Sequence, residues 1–202
     1  PYLQGELSRG NASSIHQLGR TARAAIDTAR EQVAELIGAD YADIYFTGSG
    51  TESDNLAIIG TLLASASNRK HIVTTTIEHH AVLHSAHFLQ TLGYEVTLVP
   101  VDSFGCVSPE DIRAAITPQT ALVSVMHANN EVGAINPVRA LADLAHERGA
   151  LLHTDAVQTL GALPLDVDAL GADLMSVTAH KIYGPKGIGA LYVRAGTPLA
   201  PL

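Results

Sequence analysis

Only one cysteine, Cys106, occurs in the 202 residues, which excludes a disulfide within the chain. A reducing, cytoplasmic setting is the natural expectation. Positive charge is also scarce: 12 Lys and Arg stand against 20 Asp and Glu, a formal net charge of -8. Such a chain has no cationic surplus to neutralise a phosphate backbone, and a nucleic-acid-binding role is excluded. No apolar run approaches membrane-spanning length, and the first residues lack the basic-then-apolar order of a signal peptide. The Asn11-Ala12-Ser13 sequon is therefore read as accidental. What is present is a globular composition, 47% hydrophobic and 16% charged. With no linker-like tract or internal repeat, residues 1–202 read as one domain large enough to bury a core.

From 13 to 37 apolar residues recur at helical spacing, and Gly38 supplies a stop. Short β-prone runs follow at 43–47, 71–75, 95–99, 121–125, 150–154, 173–177 and 189–193. They alternate with helical stretches at 52–66, 80–92, 109–116 and 137–148. Such alternation predicts βαβ units and a mostly parallel, seven-stranded sheet covered by helices on both faces, a three-layer α/β/α sandwich. The last two runs lie too close for a helical crossover, which predicts one antiparallel strand. Ligands in such sheets sit beyond the carboxyl ends of the strands, and the segments there are rich in polar residues.

"TGSGTESDN" (47–55) follows a strand and opens a helix. Glycines let backbone approach a ligand, and the first N–H groups of a helix favour an anion. An ordinary glycine-rich turn reads equally well, and Gly48-x-Gly50-x-x-Ser53 comes within one residue of a dinucleotide fingerprint. His80, His84 and His87 fall on one helix face, but His-Glu-x-x-His is absent; solvated or packed histidines are favoured and no metal is assigned. His79 belongs at a strand's carboxyl edge, where it lies across a flat ring or makes a helix-terminal hydrogen bond. Asp155 ends a buried strand and needs a partner, either a following turn or a protonated heterocyclic nitrogen. Gln158 offers an amide to a neighbouring oxygen. Lys181, between His180 and a glycine-rich turn, reads either as a solvated charge at a strand end or as a partly desolvated nucleophilic amine. Phosphate cradle, ring aspartate, ring histidine and lysine together are the set that pyridoxal phosphate requires. A nicotinamide site leaves Asp155 and Lys181 without a role.

With these motifs in hand, the chain resembles the cysteine desulfurases, a class V branch of the fold-type I pyridoxal-phosphate enzymes. "NASSIHQLGR", "FTGSGTESDNLAIIG", "EHHAVL", "HANNEVGAINP", "HTDAVQ" and "HKIYGPKGIGALYV" follow in that family's order and spacing. The resemblance implies the large, transferase-like domain of that fold, with pyridoxal 5'-phosphate as cofactor. It implies phosphate contacts from Gly50 and Thr51, with Thr178 and His180 flanking them. His79 stacks on the ring, Asp155 partners the pyridine nitrogen, Gln158 the ring hydroxyl, and Asn130 stands beside cofactor and substrate. Lys181 is the implied Schiff-base lysine and, with His79, the catalytic pair. The implied reaction takes sulfur from L-cysteine, giving alanine and a persulfide for iron–sulfur cluster assembly. A sulfur-acceptor or scaffold protein and a second copy in a homodimer are the implied partners. The family's N-terminal segment and its C-terminal small domain, which carries the nucleophilic cysteine, have no counterpart in these residues, and Cys106 does not match the nucleophile's motif. The chain alone is therefore expected to hold the cofactor without producing persulfide at a useful rate. The alternatives are a non-catalytic cofactor-binding module, or a related lyase or aminotransferase.

Overall fold

A computed structural model describes residues 10–65 and 69–202. Helix α1 (Gln17–Ile37) starts later than the apolar repeat, because His16 caps it by accepting the Gly19 N–H. It stops where expected, at Gly38, whose φ of 67° suits glycine and turns its N–H back onto the last carbonyls. Strand β1 (Ile44–Thr47) leads through a tight loop into α2 (Gly50–Asn55). A π-helical turn (Leu56–Gly60) and α3 (Thr61–Ala64) continue it without a break. This helical run was expected over 52–66. It begins earlier because Ser49 caps it through the Glu52 N–H, and the expected last residue, 66, lies outside the described residues.

Then follow β2 (His71–Thr75), α4 (His80–Thr91), β3 (Glu95–Val99), α5 (Pro109–Ala115) and β4 (Thr120–Ser124). The chain continues with α6 (Val138–Glu147), β5 (Leu151–Asp155), α7 (Val167–Leu170), β6 (Leu174–Thr178) and β7 (Gly189–Val193). Helix α7 was not anticipated; Asp166 caps its start and Gly171 its end, too short a piece to show helical periodicity. All seven expected strands are present, in the order β1-β7-β6-β5-β4-β2-β3. Only β7 runs against its neighbours, pairing antiparallel with both β6 and β1.

Alternation along the strands divides the core by face. Val73, Val123 and Leu152 pack under α5 and α6, and Met175, Val177 and Tyr192 meet α1 and its neighbours. On the other face Ile72, Leu122, Leu174 and Leu191 meet the helical run from α2 and α4. The sandwich is therefore three layers deep. Gly189 draws the β1–α2 loop onto the sheet: a Cβ there would stand 2.6 Å from the Ser49 carbonyl carbon. Only glycine admits that approach, and it brings the loop to the carboxyl edge of β6.

Candidate functional site

Strands β1, β2, β4, β5 and β6 all end at one edge of the sheet, and their following segments enclose a cavity of about 300 Å³. All nine residues singled out from the sequence line it. Gly50 and Thr51 come from the first turn of α2. Gly50 packs closely, since a Cβ there would meet Val157 Cγ2 at 2.8 Å. His79 is the N-cap of α4, its Nδ1 accepting the Ala81 N–H at 3.1 Å. The helix-terminal bond and the position on the cavity wall therefore coexist. Asn130 is presented by its neighbour: Asn129 donates to the Ile77 carbonyl and accepts the N–H groups of Glu131 and Val132.

Asp155, the last residue of β5, is 5% exposed and accepts the Val157 N–H at 2.9 Å. Burial pushes its carboxyl up, opposed by that N–H and by the charges of His79 and Lys181. Gln158 follows half-buried on the cavity wall. Thr178 is buried at the end of β6, its hydroxyl donating to the Ile188 carbonyl, with His180 Nδ1 3.1 Å away.

Lys181 departs from expectation. The constellation calls for a partly desolvated amine, but its side chain is exposed. The reason is local: β6 ends at Thr178, and Lys181 sits beyond it on a short 3₁₀ turn, Ala179–Ile182, that stands at the cavity rim. Tyr183, with a left-handed φ of 63°, closes that turn and lets the Gly184 N–H return to the Ala179 carbonyl. The histidines His80 and His84 stack on each other, with ring centroids 5.3 Å apart. Among the described residues no group of three or more His, Cys, Asp or Glu is arranged to hold a metal.

Two buried acids at this edge escaped the sequence reading. Asp54, in "GTESDN", looks like part of a solvated helix start, yet it lines the cavity floor. Glu78 precedes His79 and bridges two strand ends, accepting the Thr75 hydroxyl at 2.6 Å and the Met126 N–H at 3.0 Å. Their only signal in sequence is adjacency to residues that were identified. Burial pushes Glu78 from 4.5 up to about 8. Its protonated form is the one that the fold favours. Its stabilising effect is thus complete below the unfolded value of 4.5 and is lost as pH rises toward about 8. Each unit of that gap is worth about 1.4 kcal/mol, so the loss is on the order of a few kcal/mol. Urea denaturation across this window should show Glu78→Gln with a flatter pH profile than wild type; parallel profiles would place the Glu78 proton elsewhere.

The profile of the aminotransferase class-V family matches residues 3–202. The cysteine desulfurase IscS of Dictyoglomus turgidum (strain DSM 6724 / Z-1310) is 52% identical over 202 residues, all of this chain and 51% of the relative. That of Methanosarcina thermophila is 49% identical over the whole chain and 50% of its own length. The chain thus spans about half the length of these curated relatives. Among solved structures, a NifS-like protein superposes with a TM-score of 0.95 at 39% identity, covering 100% of this chain and 55% of that one. SspA in complex with cysteine gives the same TM-score and identity, covering 100% of this chain and 58% of that chain.

Proposed function

We propose, from the premise that this chain belongs to the aminotransferase class-V family, that it forms the pyridoxal-phosphate-holding part of a cysteine desulfurase. The observation that carries this reading is the convergence of nine residues from separate strand ends on one cavity. The donor set suits the cofactor. Backbone N–H groups at Gly50 and Thr51, with His180, suit a phosphate, and the Thr178 hydroxyl would join them by turning from the Ile188 carbonyl. A carboxylate as buried as Asp155 calls for a cationic partner, which a protonated ring nitrogen provides. When bound, pyridoxal phosphate supplies an aldehyde for amines and an electron sink for carbanion chemistry.

The chain's own residues do the rest. Asp155 keeps a proton on the ring nitrogen, and Gln158 and Asn130 orient polar atoms along the ring's edge. His79, held in place on the cavity wall as the cap of α4, would pack against the ring. Lys181, at the rim, brings the amine and moves the proton at the substrate's α-carbon. The relatives' names support L-cysteine as substrate. The same reading brings alanine as product, a sulfur-acceptor or iron–sulfur scaffold protein as partner, a homodimer and a cytoplasmic setting. Cys106 is not part of the reading as sulfur acceptor: its Sγ lies 3.9 Å from the Ile135 carbonyl and it does not line the cavity.

The test incubates wild type and Cys106→Ser with pyridoxal phosphate, L-cysteine and reductant, and measures cofactor uptake, sulfide and alanine. Both proteins should take up cofactor equally, with any alanine release unchanged by the substitution. Failure of either to bind cofactor overturns the cofactor reading. Alanine release abolished by Cys106→Ser overturns the exclusion of that thiol.

A further inference from the structure

Beneath α2 the sheet buries a row of polar side chains that, Asp155 apart, the cofactor reading does not use. Side chains alternate along a strand, so His153 and Asp155 share one face of β5, the face that α2 covers. Register sets Ser124 beside His153 and Ser176 beside Asp155. His153 is fully buried and tied at both ring nitrogens, Nδ1 2.8 Å from Ser124 Oγ and Nε2 3.0 Å from Ser176 Oγ. Asp54 reaches onto this row from α2 and is 1% exposed. Its Oδ1 lies 3.6 Å from His153 Nε2 and has no hydrogen-bond partner. Asp54 and Asp155 line the same cavity.

The charged and titratable neighbours treat these two acids differently. Burial pushes the Asp155 carboxyl up as well, but the Val157 N–H and the charges of His79 and Lys181 oppose it and favour the ionised form. Asp54 faces the negative charge of Asp155, with the Ser176 hydroxyl opposing it; Glu78 adds a second like charge only once it ionises, at about 8. Burial first, and then Asp155, hold the Asp54 carboxyl well above the usual range. Burial also pushes the His153 imidazole down to about 3, so the ring 3.6 Å from Asp54 is neutral at pH 7.

We propose that Asp54 and Asp155, which line the same cavity, carry one negative charge between them, with Asp54 as the protonated member. Asp54 keeps a second charge from gathering under the ring while filling the space against His153 and Ser176. The inference rests on the cofactor reading only for the identity of the cation that Asp155 receives.

Infrared spectroscopy counts the protons directly, since a protonated carboxyl and a carboxylate absorb apart. Chain labelled with ¹³C-aspartate, at neutral pH and without cofactor, should show one protonated aspartyl carboxyl. Asp54→Asn should lose that band, and Glu78→Gln should keep it. The isotope shift separates aspartyl from glutamyl bands in wild type, so the count stands even where a variant folds poorly. Adding pyridoxal phosphate should leave the band in place. No aspartyl band, two of them, or one lost on adding the cofactor would overturn the proposal. Absence of cofactor uptake in wild type would instead strike the functional reading and leave the proton count standing.

Discussion

Borohydride reduction after incubation with pyridoxal phosphate is expected to fix a single adduct on Lys181. The sequence holds three lysines, and the fold separates them sharply. Lys70 precedes β2 at the opposite, amino-terminal edge of the sheet, its ammonium 5.8 Å from the Tyr94 ring centroid. Lys186 lies in an exposed turn before β7 and does not line the cavity. Lys181 alone stands at the rim, and its charge is felt by Asp155 on the floor. Its exposure does not weaken the expectation, because condensation with an aldehyde requires reach and an unprotonated amine rather than a buried one. Lys181→Ala should lose the visible absorbance band and the adduct mass completely, while Lys70→Ala and Lys186→Ala retain both. Peptide mapping that finds the adduct on Lys70 or Lys186 in wild type would remove Lys181 from the site.

The parts of this site that were legible in sequence are those that follow a strand. A continuous β-prone run ending in polar residues marks a strand and its carboxyl edge at once, which is why His79, Asp155 and Thr178 could be placed. The antiparallel turn from β6 to β7 was legible from its shortness. That β1 would lie on the far side of β7 was not, because nothing local records a pairing between Ile44 and Tyr192. Asp54 and Glu78 were hidden for a related reason: each is buried by an element distant in sequence, the sheet in one case and Met126 in the other. Desolvation of Lys181 was inferred from apolar flanks, but flanks describe strands and not the turn between them. Helix α1 shows the same limit. Its apolar repeat is real, yet Leu18 is 45% exposed and Leu36 57%, because periodicity states which face is apolar and not what covers it.

Asp155→Asn should impair the chemistry of the cofactor far more than its binding. The amide matches the carboxylate in size and still accepts the Val157 N–H, so the turn after β5 should hold its shape. Contacts from the loop at Gly50 and Thr51 and from Thr178 and His180 are untouched, and they should retain most of the affinity. What the amide cannot do is carry the negative charge that keeps a proton on the ring nitrogen. Hydrogen bonds to charged groups contribute about 1.5–3 kcal/mol, which corresponds to roughly ten- to a hundredfold in rate. Exchange of the α-proton of L-alanine in heavy water, followed by NMR, reads this step without needing any sulfur-accepting thiol. The variant should therefore bind pyridoxal phosphate with little change and exchange the proton ten- to a hundredfold more slowly, by the same conversion. Asp54 offers a way for the charge to return: with Asp155 neutralised, the like charge that helps keep Asp54 protonated is gone. If the floor conserves its single charge, raising the pH should recover part of the exchange in Asp155→Asn, and adding Asp54→Asn should abolish that recovery. Equal exchange rates in wild type and Asp155→Asn at every pH would reduce Asp155 to the cap of its own turn.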